Sequence, residues 1–595
     1  APLVPKFSEE VGQFISNLFV QLFDPVPPAF VRKGASWGLA GIIKGYGLRS
    51  FLEFDIMRVL IDAAESKSNP IGRASVAFCI MTFSSVLGRL FEPYVIELLP
   101  FLLKNLGDQD IDVRKQYILA ADTIMKHTTS YGLHKMTPVA ISNLNEYSWR
   151  IKKGSVELLG SMAYLNPVQL SSSLSTIVPE IVGVLGDSHK EVRKSGDEAL
   201  EKFGKVIRNP EVQTIVPKLL QAIGEPTKYT ESALDALIKT QFVHYIDGPS
   251  LALIIHIIHR GMRERSANTK RLACKIVGNM AILVDSRDLI PYLSSLIEEV
   301  EIAMVDPVPN TRATAARALG ALVERLGEEQ FPGLIDKLLN TLSDKGKVGD
   351  RLGSAQALAE ILSGLGLGKL DELLPVILEG VNSSDSYTRE GFSPLLLFVP
   401  VCFGSQFAPY IQKIIKPILR GLADFNDSIR ETSMEAGKLI VTNYANKAVE
   451  LLLPELQVGM FDENERIRLS SLQLTADLLF EVTGLSANND LQGEDGDENI
   501  DDEDFSSKHN EISKSIIDVL GQEKRDSVLS SIFVLRSDTS GLVRSAAVDV
   551  WKALVPNTPR TVKEILPVLT TIIVNNLASE SSVLRTIVAQ TLGDM

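Results

Sequence analysis

His256 and His259 lie three positions apart in an apolar stretch, a spacing that sets two imidazoles on one helix face where they could share a metal ion. No cysteine lies near them and no H-E-x-x-H pattern completes a ligand set, so the pair reads as structural. Gly364-Leu-Gly366-Leu-Gly368-Lys369 has the glycine content of a phosphate loop. It lacks the G-x-x-x-x-G-K-[ST] spacing and follows a helical pattern rather than a strand, so it reads as a turn. Asp495, Asp497 and Asn499 alternate as the first ligands of an EF-hand would, but Ile500 stands where that loop needs glycine and Ser506 where it needs a bidentate glutamate. No nucleophile, base and orienting acid fall into one motif. The expectation is a non-enzymatic chain with no metal and no cofactor.

Positive charge offers a different chemistry. Arg150, Lys152 and Lys153 follow Trp149, Lys190 and Lys194 flank Arg193, and Arg260, Arg263, Arg265, Lys270 and Arg271 crowd one further stretch. Bases gathered at successive turns along one edge would hold RNA phosphates, or the acidic surface of a partner, through salt-sensitive contacts. The formal charge of −14 does not oppose this, because eight acids sit in Gly493–Asp504 alone. Stripes, rather than net charge, decide phosphate binding.

What must position these bases is a repeated element. An Asp is followed six positions later by an Arg at Asp108/Arg114, Asp187/Arg193, Asp306/Arg312, Asp424/Arg430, Asp462/Arg468 and Asp538/Arg544. The arginines extend into a comb through Arg32, Arg73, Arg150, Arg271, Arg351, Arg389 and Arg585, with a gap near Glu231. A period of roughly 40 residues with two amphipathic helices per unit is the signature of HEAT-type solenoids. The predicted fold is therefore all-α, a HEAT-repeat α-solenoid of about fourteen stacked helix pairs. In such repeats the turn Asp and the Arg of the second helix tie neighbouring units together, so all six pairs read as a structural ladder. Ala315, Leu319, Leu322 and Leu326 mark one helix face. Leu99-Pro100, Val178-Pro179, Val216-Pro217, Ile290-Pro291, Leu374-Pro375, Lys416-Pro417 and Leu453-Pro454 predict a proline near the start of each first helix.

A solenoid grows by addition, so 595 residues count repeats rather than globular domains. Looser repeats are expected over 1–89, the cleanest over 90–345, further repeats over 346–484, an acidic insertion over 485–508 and renewed repeats over 509–595. With 45% hydrophobic and 6% aromatic residues the helices have enough to bury. Cys79, Cys274 and Cys402 are too far apart for a local framework and suit a reducing compartment. No uninterrupted apolar run approaches bilayer length, which predicts no membrane partner. The chain begins at Ala1 and ends within a helical pattern, so it reads as an excerpt of a longer solenoid.

Thr240-Gln-Phe242-Val243-His-Tyr-Ile-Asp-Gly-Pro-Ser250, Arg260-Gly261-Met-Arg-Glu264-Arg265 and Lys270 through Met280 resemble the N-terminal HEAT domain of elongation factor three. Ser148-Trp149-Arg150, Gly154 through Gly160, Ile207-Arg208-Asn209-Pro210-Glu211, Asp306-Pro307-Val308-Pro309 and Asn557 through Thr561 resemble the general control non-derepressible translational activator family. That resemblance implies a cytoplasmic, ribosome-associated scaffold that activates the starvation-responsive kinase of initiation factor two alpha and works with an ATP-binding-cassette partner. It implies that the kinase-binding segment lies outside this stretch, and it assigns no individual functional residue. A nuclear transport receptor and a phosphatase scaffold are the alternatives that the solenoid pattern leaves open.

Overall fold

The chain is described by a computed structural model over residues 4, 10–483, 516–555 and 557–594. Every regular element among the described residues is a helix, apart from an isolated bridge between Ile246 and Val284. In sequence the described helices run as fourteen consecutive pairs, such as Glu92–Leu106 with Ile111–His127 and Pro167–Val184 with Lys190–Lys205. The chain divides into two units, Ala1–Ala303 and Met304–Met595, a boundary that falls inside the segment 90–345 read from the sequence. The expected insertion 485–508 lies within 484–515, outside the described residues.

One turn design recurs in both units. In the first, Asp108 accepts the Asp110 amide at 2.8 Å, and Arg114 folds its guanidinium back to donate to the Asp108 carbonyl at 2.6 Å and the Gln109 carbonyl at 2.9 Å. Asp187 and Arg193 repeat this with the His189 amide and the Asp187 and Ser188 carbonyls. Asp306/Arg312, Asp424/Arg430, Asp462/Arg468 and Asp538/Arg544 do so in the second unit. The backbone polar groups of a tight turn must be satisfied somewhere, and here two side chains of the turn itself do so.

Four of these carboxylates also accept from the preceding repeat. Arg73 reaches Asp108 at 2.9 Å and Lys152 reaches Asp187 at 2.8 Å. In the second unit Arg389 reaches Asp424 at 2.7 Å, Arg468 reaches Asp538 at 2.8 Å, and Arg351 makes a related pair with Glu390 at 2.5 Å. Arg73, Lys152 and Arg389 each stand 35 residues before their Asp, whereas Arg468 stands 70 before Asp538, so this rung closes over 35 extra residues (70 − 35).

The expected ladder is corrected at most of its arginines. Of the six Asp/Arg pairs only the last turn but one sends its arginine, Arg468, to a carboxylate of the next repeat. Contrary to the sequence reading, Arg312, Arg430 and Arg544 do not tie neighbouring units together; each bonds carbonyls of its own turn, at Asp306 and Pro307, at Asp424, and at Asp538 and Thr539. Arg430 pairs besides with Asp427 of its own helix rather than with Asp462. Arg114 and Arg193 likewise close their own turns only. The reason lies in the receiving turn. The residue two before the next cap is Lys345 in the turn after Arg312 and Ser579 in the turn after Arg544, neither of which carries a carboxylate. Asp462 follows Arg430 by 32 residues (462 − 430), three fewer than the 35 at which the other rungs close. Three residues are most of a helical turn, enough to take the carboxylate out of reach.

The rung residue is always the fourth after the helix N-cap: Arg73 after Asn69, Arg114 after Asp110, Arg193 after His189, Arg389 after Asp385. This register corrects the comb at two positions. After Ser148 it selects Lys152 rather than Arg150, and after Ser266 it selects Lys270 rather than Arg271. Only the position one turn into the helix faces back over its own turn; residues two or five along point elsewhere on the cylinder.

The prolines also differ from expectation. Pro100, Pro179, Pro217, Pro375, Pro417 and Pro454 lie inside their first helices rather than at the start. Only Pro291 precedes its helix, in the 3-10 turn Ile290–Tyr292. A proline in mid-helix removes one hydrogen bond and bends the axis. The positions that open helices at low cost are taken by Pro70, Pro93, Pro167 and Pro210 instead.

Two stretches, Pro70–Leu106 and Ser386–Gly421, contain windows long and apolar enough to cross a bilayer by composition, which the count of uninterrupted apolar residues overlooked. In the fold 61% and 56% of those windows are buried, so their apolar residues serve the helical core. Close packing depends on glycine at three matched sites. A methyl group at Gly154 would collide with the Leu103 carbonyl, one at Gly353 with the Met304 carbonyl, and one at Gly391 with the Leu342 carbonyl.

The first unit has one interruption. Its second helices stack in series from Ala29–Tyr46 through Pro70–Leu87, Ile111–His127 and Trp149–Ser161 to Lys190–Lys205. Lys190–Lys205 then makes at most glancing contact with the next second helix, Pro226–Lys239. The first helices Pro167–Val184 and Gly248–Arg263 instead pack directly on each other across this repeat, and the Ser171 hydroxyl donates to Asp288. Sequence explains the break, because the repeat has a one-residue turn at Glu225, no turn Asp, and Tyr229 at the rung position.

The Arg468–Asp538 pair is buried on both sides, at 2% and 0% side-chain exposure. Removing one partner of such a pair strands the other charge, so Asp538→Ala is expected to destabilise the second unit by about 3–5 kcal/mol. Asp108→Ala, in a pair that is 11% exposed on each side, is expected to cost less. Urea unfolding followed by circular dichroism measures both.

Candidate functional site

The bases singled out in the sequence sit at the starts of second helices, or at the ends of first helices, within the first unit. Their environments divide them. Lys152 is 22% exposed and bonded to Asp187, and Lys153 is 12% exposed and bonded to Glu191 at 3.0 Å. Both ammonium groups are spent on the neighbouring repeat. The turn ahead of Trp149 places a lysine on the rung, and nothing in the run of bases around it marks this lysine as inward-pointing.

Arg150, Lys190 and Arg265 are exposed, and among the described residues neither Lys190 nor Arg265 has an ion-pair partner. Arg150 lies over the Trp149 ring at 5.0 Å, and the other ring contact of Trp149 is with His189, stacked at 4.1 Å and nearly parallel. The histidine ring is held in turn by the Glu191 amide, which donates to Nδ1 at 3.2 Å. Tyr147, fully exposed just before this stack, is a feature the charge reading missed. The result is an aromatic and cationic ridge across two successive turns.

The remaining bases are tethered but outward. Lys194 pairs with Glu198 at 3.6 Å and Arg260 with Glu264 at 3.3 Å, both across one helical turn. Such exposed pairs are worth little and exchange readily for a phosphate. Arg271 donates to Asn268 at 3.0 Å, and Lys270 is half-buried at the rung position. Arg263 has a largely exposed side chain, yet its guanidinium forms an ion pair with the buried Glu299 at 2.7 Å.

Glu299 also ties down one histidine of the pair, His259. His259 Nδ1 lies 2.5 Å from the Glu299 carboxylate and its Nε2 lies 3.4 Å from the Ser295 hydroxyl. His256 is half-buried one helical turn away, and desolvation, with the neighbouring His259, pushes its imidazole down to about 4. No group of three metal-ligating side chains forms among the described residues, here or elsewhere. Through Glu299 and Ser295, His259 braces two first helices, Gly248–Arg263 and Leu293–Met304.

A third inward lysine was not legible in the sequence. Lys202 bridges Asp122 at 3.4 Å and Glu157 at 3.9 Å, linking three consecutive second helices. Burial raises the Glu157 carboxyl despite this lysine.

The class of the protein follows from the helix pairs and their ladder: it is an all-α HEAT-repeat solenoid with a basic, aromatic turn edge. Known families agree. The family model described as EF3 N-terminal HEAT repeat matches residues 32–200, and the one described as Elongation factor 3/GNC1 HEAT repeat matches residues 228–332. The chain is 67% identical over all 595 residues to the eIF-2-alpha kinase activator GCN1 of Saccharomyces cerevisiae, and 43% identical over its whole length to the stalled ribosome sensor GCN1 of Homo sapiens. It covers 22% of each of those relatives. Elongation factor 3 of Mycosarcoma maydis is 25% identical over 66% of this chain and 37% of its own. Over its whole length the chain is similar to these GCN1 proteins, and it corresponds to about a fifth of their length.

Acid should act through the rungs. Burial opposes the charge on Asp187 and Asp424, but Lys152 with the His189 amide, and Arg389 with the Asn426 amide, hold both carboxyls below the usual range. A folded-state value below the unfolded one means the stabilisation is complete above the unfolded value, near 4, and is lost as pH falls through the depressed folded value. Stability is therefore expected to drop below about pH 4, and Asp424→Asn should make that drop shallower while lowering stability at neutral pH. Urea titrations at a series of pH values measure the slope.

Proposed function

We propose that this chain is a non-enzymatic, ribosome-binding segment of a translational activator. In this reading the whole protein senses stalled or collided ribosomes and positively regulates the kinase of initiation factor two alpha during amino-acid starvation. The observation that carries it is the similarity over the entire chain to a kinase activator and to a stalled ribosome sensor. The geometry supports a physical role for this segment, since an edge with exposed Arg150, Lys190 and Arg265 suits the phosphate backbone of RNA.

The long stacked surface suits a large partner, and no catalytic constellation competes with a scaffold role. The likeness to elongation factor three over part of the chain supports cooperation with an ATP-binding-cassette partner, in the cytoplasm and on the ribosome. Contact with the kinase falls to a part of the protein outside this segment. Within the segment, the acidic stretch 485–508 serves as a linker between repeats whose rung, Arg468 to Asp538, remains closed.

Sedimentation with purified monosomes and with collided disomes across a salt series tests the reading. Binding is expected to fall steeply with salt, as phosphate contacts release counterions. Reversing Arg150, Lys190 and Arg265 together to glutamate is expected to reduce pelleting at least tenfold with unchanged helicity and melting. Lys152→Glu should lower the melting temperature instead, because it sets two carboxylates against each other at the Asp187 rung. Undiminished pelleting of the triple variant would remove the edge from the interface, and absence of pelleting at low salt would remove ribosome binding from this segment.

A further inference from the structure

The interruption in the first unit leaves a groove of about 880 Å³ between helix Lys190–Lys205 and the pair Pro210–Gly224 and Pro226–Lys239. Its walls include Leu185, Leu200, Val216 and Leu220. In the preceding repeats, the face of the second helix that looks along the stack is covered by the next second helix. Here Pro226–Lys239 turns away to pack on Ala267–Leu283. Leu200 is buried, but Leu185, Val216 and Leu220 remain half-exposed.

The rim is acidic. Asp197 and Glu201 stand one helical turn apart on Lys190–Lys205, and Glu225 closes one end. Arg193 also borders the groove, but its guanidinium is bonded to the Asp187 and Ser188 carbonyls. Lys205 is the remaining base there, and it makes no ion pair with Glu201 among the described residues. Burial, together with Glu201 and Glu198, raises the Asp197 carboxyl, as expected for acids that face one another without a cation between them.

We infer that this groove receives an amphipathic helix from a protein partner, with a Leu/Ile/Val stripe against the apolar walls and Lys or Arg one turn apart against Asp197 and Glu201. The occupant takes the place along helix Lys190–Lys205 that the next second helix fills in other repeats. That helix is 16 residues long, so the site accommodates a segment of about four turns, read as i, i+3, i+4 and i+7 anchors. The inference does not depend on ribosome binding, because it uses neither the basic edge nor RNA.

Fluorescence anisotropy on the full chain tests it with two 16-residue helical peptides. They share one leucine stripe and differ only in carrying Lys or Glu at the two positions facing the rim. The Lys peptide is expected to bind saturably, and at least tenfold more tightly than the Glu peptide. Asp197→Lys with Glu201→Lys should reverse that preference, and Val216→Lys should weaken both peptides. Asp197→Asn with Glu201→Gln provides a milder variant, expected to lose the preference, if the reversal disturbs the melting curve. Equal binding of the two peptides, no binding of either, or affinities unmoved by these changes would overturn the assignment.

Discussion

The constraint on which this structure rests is the turn carboxylate that serves two masters. Asp424 bonds the amide two residues ahead and so shapes its own turn, and it also receives the guanidinium of Arg389 from the repeat before. Arg389 in turn bonds the carbonyls of its own turn, at Ser383 and Ser384. Local turn geometry and inter-repeat registry are therefore fixed by one hydrogen-bond network. A helix pair that cannot bury its apolar stripe alone gains a neighbour at a defined offset, because the rung closes only there. Buried ion pairs of this kind contribute more to selecting one arrangement than to raw stability, since desolvation offsets much of their attraction.

That role explains why the network tolerates changes of residue. Lysine replaces arginine at Lys152, and serine stands in for the turn Asp at Ser383 and Ser579. Because Ser383 offers no carboxylate, Arg351 pairs instead with Glu390 in the helix that follows that turn. A change of spacing or the loss of the receiving carboxylate opens the rung but leaves the turn intact, as at Arg312, Arg430 and Arg544. The network also closes over unequal lengths of chain: Arg468 reaches Asp538 across 70 residues, whereas Arg389 reaches Asp424 across 35.

Where the network is absent, the stack changes. The repeat 210–239 has neither the Asp nor the Arg, and there the second helices separate while first helices two repeats apart meet. The two family models end at residue 200 and resume at residue 228 around the same place. The surfaces available for partners follow from this division of labour. Bases drawn into rungs, such as Lys152, hold the solenoid together, while bases beside the rungs, such as Lys190 and Arg150, face outward, Arg150 over the Trp149 ring.

The all-α class, the repeat and its period were legible in the sequence, because each rests on local patterns: apolar residues at helical spacing, and an Asp and Arg whose separation spans one turn. The likeness to GCN1 proteins was legible for the same reason, in collinear motifs from one end of the chain to the other. What only the tertiary structure decided is the destination of each charged side chain. The six Asp/Arg pairs look alike in the sequence, yet Arg468 crosses to the next repeat while Arg312, Arg430 and Arg544 stay within their own turns. Lys152 and Lys153 look as basic as Lys190, and only the packing of the next repeat shows that Asp187 and Glu191 claim them. The mid-helix prolines, the bond from His259 to Glu299 and the bridge from Lys202 to Asp122 and Glu157 belong to the same category. The linked side chains come from separate helices, up to 80 residues apart, and single-sequence periodicity carries no information about which helices meet.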